Sequence, residues 1–304
     1  MSSNRAPCQE HRYQSGGQQN QELCVDALGE EGHVVLALVE DGAVAIDDGV
    51  ILAVGPAAEI AAQYVSRETL AGDRRIVMPG LVNGHSHAAM TLLRGVADDL
   101  ALMDWLQNYI FPAEVEFVDA EFVRIGTELA CWEMIRGGTT SFVDMYFYPD
   151  EIAGVVDRCG LRAVVASPHI DYPSPGFIGW DDSFAAAVDF VTRWRGKHPR
   201  ITPAFAPHAP YTVSDEPLRR IAVLANELEV PVHMHVHETA EEVERAVELT
   251  GKRPLQRLEE LGLLTPALMA VHMTQLLDSE IDRVAEAGVQ VVHCPESNLK
   301  LASG

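Results

Sequence analysis

The chain has 304 residues, of which 47% are hydrophobic and 22% charged, and its formal net charge is −23. Such an excess of acid repels phosphate backbones and anionic lipid, which argues against a nucleic-acid binder or a protein held on a membrane surface. Apolar runs are broken by Gly, Pro or charge well before about 18 residues, which argues against a membrane-spanning helix, and no apolar signal-peptide core follows the start.

Residues 1–22 are rich in Gln, Ser and Gly and read as a disordered tail, with His11 solvated in it. Residues 23–78 read as part of a small β domain. Its β-type runs start at Val34, Ala43 and Val50, with turns at Gly42, Asp47-Asp48-Gly49 and Gly55-Pro56 and a short helix over 57–64. From 79 to 304 short apolar strands alternate with helical stretches. Strands are expected at 81–87, 140–145, 162–167, 201–207, 231–237, 268–273 and 289–293. Helices are expected at 119–136, 151–159, 183–195, 215–228, 240–249 and 279–287. Leu129, Trp132, Met134 and Ile135 are expected on the packed side of the first helix, and Gly137-Gly138 and Gly160 as helix stops.

This rhythm implies an α/β fold with a parallel sheet, doubly wound or closed as a (β/α)8 TIM-type barrel. Seven strand–helix beginnings are found, and Gly304 falls inside what should be the next connection, so a barrel lacking strand 8 is expected. Cys8, Cys24, Cys131, Cys159 and Cys294 are odd in number and show no CxxC spacing. They read as free thiols in a reducing compartment, here the cytoplasm.

Polar residues recur at the carboxyl ends of the expected strands, where parallel barrels carry their active sites. His85 and His87 alternate on strand one and so face the same way, close enough to grip one metal ion. Strand two carries Asp144, and His208 follows strand four. Strand five carries His233, His235 and His237 on one face, followed by Glu238, a carboxylate placed to move a proton to and from metal-bound water. The bland reading of Glu238 is a favourable first-turn charge on the next helix. His272 ends strand six, as a metal ligand, a polariser of substrate or a satisfied core histidine. His208 is a hydrogen-bond donor to substrate or a loop stabiliser, and Asp144, His233 and His293 are given supporting or structural roles.

Met78–His87, Ala101–Leu106 through Phe111–Glu114, the stretch His235–Thr239 and the stretch His293–Leu301 together resemble the amidohydrolase superfamily. Within it the chain is similar to the 5′-methylthioadenosine/S-adenosylhomocysteine deaminase group, with its triazine hydrolase and chlorohydrolase relatives. The resemblance implies a metal-bearing barrel joined to a β-sandwich, of which the chain would hold the N-terminal part. It implies one divalent metal ion per subunit on His85, His87 and His235, zinc first, with iron(II) or manganese(II) as alternatives. Glu238 would be the proton shuttle and His272 would stand beside the metal. Trp105, Glu114 and His208 would contact a nucleoside substrate, against the bland readings of core packing for Trp105 and a solvated flank for Glu114.

The implied reaction is hydrolytic deamination of an adenine nucleoside, a small-molecule substrate, with self-association into a homo-oligomer left open. The alternatives are a triazine chlorohydrolase or aminohydrolase, a guanine deaminase, or a catalytically silent truncated barrel. Two departures stand out. The group's fourth protein ligand is an aspartate ending strand eight, and no matching stretch is present, so the 304-residue chain by itself is expected to be nearly inactive. No arginine lies between Ile170 and Val191 to match one that grips the homocysteine carboxylate, which weighs against S-adenosylhomocysteine.

Overall fold

The computed structural model describes residues 22–28, 34–72, 74–97 and 99–304. The tail expected over 1–22, with Cys8 and His11, lies outside these residues, apart from Glu22, which opens a strand. The chain divides into two compact units, one running up to Gly80 and the other spanning Leu81–Gly304.

The first unit holds β1 (Glu22–Leu28), β2 (Val34–Glu40), β3 (Gly42–Asp47), β4 (Val50–Pro56) and β5 (Ile76–Val77). β2, β1 and β5 form one sheet, and β3 and β4 form a hairpin. Asp48 and Gly49, both at positive φ, make its tight turn. The helix Ala57–Gln63 buries Ile60 against Ala43 and Ala45. β1 was not expected from the sequence.

The second unit is built from parallel strands. They are β6 (Leu81–Ser86), β7 (Thr139–Met145), β8 (Arg162–Ala166), β9 (Pro168–His169), β10 (Ile201–Pro203), β11 (Ala206–Pro207), β12 (Val232–Val236), β13 (Leu268–His272) and β14 (Gln290–Val292). β6, β7, β8 and β10 pair in that order, β9 pairs with β11, and β12, β13 and β14 pair in order. The two runs join where His233 N donates to Phe205 O at 2.9 Å and His235 N donates to His208 O at 3.0 Å. The described residues therefore trace seven staves in chain order. Staves three and four are each broken in two because Pro168, Pro203 and Pro207 bring no N–H to the ladder.

Helices follow the staves at Ala120–Gly137, Pro149–Cys159, Trp180–Trp194, Asp215–Leu228, Ala240–Thr250 and Asp278–Ala287. Gly138 and Gly160 end the first two in left-handed conformations, as their positions in the sequence imply. Four helical stretches among the described residues went unexpected: the short 3-10 turn Ala88–Leu93, residues 102–117, which contain one wide π-type turn, Pro254–Glu260 and Pro295–Leu301.

One expectation about packing is corrected. The helix Ala120–Gly137 buries Val123, Gly126, Thr127, Ala130 and Cys131, whereas Trp132 and Ile135 are 57% and 50% exposed. The small residues win the inner face because the helix lies directly on the turn Ala88–Leu93, which follows His87. A Cβ on Gly126 would sit 2.4 Å from the Ala89 carbonyl oxygen. Only a side chain reduced to hydrogen permits that approach. Trp132 instead lies beside the Arg136 guanidinium, 5.1 Å from its ring centre. Met134 does pack against the core. Cys131, Cys159 and Cys294 are free thiols.

Candidate functional site

β6 delivers His85, and His87 follows it at the head of the turn Ala88–Leu93. Asp144, buried on neighbouring β7, ties down this end: its Oδ1 accepts from Ala88 N at 2.7 Å and from the Ser86 hydroxyl at 2.8 Å. Burial pushes the Asp144 carboxyl up to about 7, with those two donors opposing the rise. His235 stands on β12, inside a strand buried along its whole length.

The ligating atoms of His85, His87 and His235 all lie within 4.8 Å of one another. The orientation of each ring is set from behind. His87 Nδ1 donates to Met145 O at 2.6 Å and His235 Nδ1 donates to His208 O at 2.8 Å. Their protons are therefore committed outward, and their Nε2 lone pairs are bare. His85 Nε2 lies 3.1 Å from His235 Nε2. Zinc–nitrogen bonds of 2.0–2.1 Å in a tetrahedron separate neighbouring donor atoms by about 3.3 Å, so the spacing suits a shared cation. Burial holds all three imidazoles below their usual pKa, and for His85 and His235 the neighbouring imidazoles add to the effect. Neutral imidazole is the ligating form, so the three residues fit a divalent metal.

Beyond β12 the chain turns sharply at His237, whose φ is +53°. The buried Glu242 side chain caps this turn, accepting from His237 N at 3.1 Å and from Glu238 N at 2.7 Å. Glu238 is 6% exposed, and burial, reinforced by the Glu242 carboxylate, raises it to about 8. Its Oε1 lies 3.3 Å from His272 Nε2. Burial lowers His272 to about 4, partly offset by Asn298. In the metal-free site burial thus disfavours the charged form of both groups, so the contact is not a strong ion pair. The His272 ring stacks on that of His235, with centroids 5.5 Å apart.

Trp105, Glu114 and His208 line one cavity of about 140 Å³ together with His87. Trp105 is half-buried in its wall. Glu114 is 7% exposed and raised to about 7 by burial, with the Tyr146 hydroxyl opposing, so the solvated flank is ruled out. A second cavity of about 740 Å³ shares Tyr172 and Thr212 with the first. His208 Nδ1 lies 3.2 Å from Thr212 Oγ1, which also lies 3.1 Å from Ala209 O, so the ring is held by this loop.

Asp144 and His233, expected in supporting roles, are both buried, and His233 lies behind His85. His293 is exposed. Sequence reasoning missed Asn298, Glu242 and Tyr146. Glu242 carried a signal, since it stands one helical turn after Glu238 and three residues after the cap Thr239.

Residues 42–64 match a bacterial imidazolonepropionase-like composite domain. A 5-methylthioadenosine/S-adenosylhomocysteine deaminase of Saccharophagus degradans is 49% identical over 88% of this chain and 60% of its own length. A protein of the same name from Teredinibacter turnerae is 46% identical over the same shares. The chain therefore spans about 60% of the length of these curated relatives. The crystal structure of an adenosine deaminase from Xanthomonas campestris with bound zinc is 48% identical, with a TM-score of 0.88 over 97% of this chain and 65% of that one. An atrazine chlorohydrolase from Arthrobacter aurescens complexed with zinc, 20% identical over 93% of this chain and 67% of that one, has a TM-score of 0.79 and shares the fold. Residues 76–304 match the amidohydrolase family, and with these relatives they establish that the chain belongs to that family and has its TIM-type barrel fold.

Proposed function

We propose that the protein hydrolytically deaminates an adenine nucleoside (5′-methylthioadenosine, adenosine or S-adenosylhomocysteine) to the inosine analogue and ammonia. The observation that carries this reading is the meeting of three imidazole Nε2 atoms beside the Glu238–His272 pair, next to a cavity walled by Trp105 and Glu114. Relatives 46–49% identical that are named as deaminases of such nucleosides support the purine end of the reading.

His85, His87 and His235 would hold one divalent ion per subunit, zinc before iron(II) or manganese(II). Such an ion, when bound, acts as a Lewis acid and lowers the pKa of a water molecule to about 7. Glu238 would take a proton from the attacking water and return it to the leaving nitrogen. Its carboxyl, raised to about 8 by burial, ionises more readily beside positive charge. A group poised near the working pH serves first as base and then as acid. His272 donates from Nε2 to the charge that develops as the purine C6 becomes tetrahedral. Trp105 packs against the purine, Glu114 accepts from ribose hydroxyls, and His208 contacts the substrate. The larger cavity gives room for a substituent on the ribose 5′ carbon.

A substrate panel tests this reading. Zinc-loaded protein is expected to release ammonia from at least one of the three adenine nucleosides, at the low rate expected above for the 304-residue chain by itself. Release of ammonia from guanine, or of chloride from a chlorotriazine, without turnover of any nucleoside would overturn it.

A further inference from the structure

His85 is the ligand whose proton position the fold leaves open. The Nδ1 atoms of His87 and His235 are committed to carbonyl oxygens, but His85 Nδ1 faces His233 Nε2 at 2.8 Å. These two rings are stacked, with centroids 5.0 Å apart and an interplanar angle of 22°. His233 is fully buried, and its Nδ1 has no hydrogen-bond partner. A carbonyl can only accept, whereas an imidazole nitrogen either donates or accepts according to its tautomer.

We propose that His233 is a positioning residue for the metal, and that it changes tautomer together with His85 when the cation binds. The proposal rests on the metal centre described under the proposed function and is independent of the nucleoside substrate.

The proton accounting follows from the geometry. Without a cation, His233 Nε2–H donates to His85 Nδ1, and His85 Nε2–H donates to His235 Nε2, 3.1 Å away. Both short contacts are then hydrogen bonds, and the His233 Nδ1 is a bare acceptor. Ligation requires a lone pair on His85 Nε2. The His85 proton must therefore sit on Nδ1 and be donated to His233 Nε2, and His233 must carry its own proton on Nδ1. Each ring holds one proton before and after, and no net charge is taken up or released. The ligating arrangement leaves a buried N–H on His233 without an acceptor, which opposes metal binding. A side chain that only accepts at the Nε2 position would escape that opposition.

Two kinds of substitution separate these effects. His233→Phe and His233→Leu remove the acceptor, whereas His233→Gln can place Oε1 near the original Nε2. Zinc affinity is measured on metal-free protein by competition with a chromophoric chelator. Loss of an outer partner of a metal-bound histidine typically weakens binding by about 10–100-fold. The expected result is a loss of at least about tenfold in the apolar variants, with His233→Gln within about threefold of the parent or tighter. A smaller loss in both apolar variants, or a Gln variant as weak as they are, overturns the proposal. Should neither apolar variant fold, ¹⁵N chemical shifts of imidazole in the parent protein decide the matter. Zinc is expected to move the His233 proton from Nε2 to Nδ1, with His233→Gln assigning the signal. An unchanged His233 tautomer overturns the proposal.

Discussion

Asn298 Nδ2 lies 3.1 Å from His272 Nδ1, and because an amide NH2 only donates, this contact places the imidazole proton on Nε2, facing Glu238. The tautomer suited to stabilising a growing negative charge is thus chosen by a residue from the helix Pro295–Leu301. Asn298→Asp would accept from Nδ1 and draw the proton away from the reacting side. The expected outcome is a kcat lower by about 10–100-fold with little change in KM or metal content. Steady-state kinetics alongside zinc analysis checks it, and an unaltered kcat would remove Asn298 from the account.

Glu238 is assigned the proton transfers, and general acid–base groups contribute about 10²–10⁴-fold in rate. Glu238→Gln keeps the size of the side chain but cannot exchange a proton. It is expected to lower kcat by that range while zinc stoichiometry stays at one. If the variant instead lost its metal, Glu238 would be acting mainly on the ligand set.

Glu242 holds two successive amides at a left-handed turn. Glu242→Ala leaves both N–H groups without their acceptor, for an expected loss of about 1–3 kcal/mol of stability. Kcat should fall as well, because the same turn aims Glu238. Denaturant unfolding and kinetics on one preparation read both effects; a stable variant with full activity would show that the turn holds itself.

The metal-free protein should have a peaked dependence of stability on pH. Glu114, Asp144 and Glu242 are raised to about 7 and Glu238 to about 8 by burial, so the folded state holds their protons more tightly than the unfolded state does. Their contribution is complete below the unfolded carboxyl pKa of about 4 and is lost as pH rises through 7–8. The buried histidines act in the opposite sense. His169, His208 and His233 are lowered to about 3, so the unfolded state takes up their protons first, and stability falls as pH drops below about 6.5. Thermal melts in chelator are expected to peak near neutrality and decline on both sides. A melting temperature that kept rising from pH 7 to 9 would contradict these assignments.

Gly126→Ala drives a Cβ against the Ala89 backbone, which has no side-chain freedom to yield. The expected cost is about 1–3 kcal/mol, with weaker zinc binding because the turn after His87 must shift. Chemical denaturation and chelator competition test the two parts separately.

Much of the barrel was legible because its strands are short apolar runs bounded by turns, and its helices show a 3.6-residue period. The ligands His85, His87 and His235 were legible for a related reason: alternation along a strand fixes which residues share a face. What escaped was set by tertiary contact. Nothing in the local pattern says that Trp132 is exposed while Gly126 is buried, because that depends on the turn Ala88–Leu93 arriving from elsewhere. Asn298 was visible within the stretch His293–Leu301, but its partner is 26 positions away in the chain.

Anomalous diffraction at the zinc edge from crystals grown with zinc tests the central claim most directly. The account predicts one strong peak with the Nε2 atoms of His85, His87 and His235 each at about 2.0–2.1 Å. A zinc-saturated crystal with no peak among these three rings, or with any of them turned away from the ion, would contradict it.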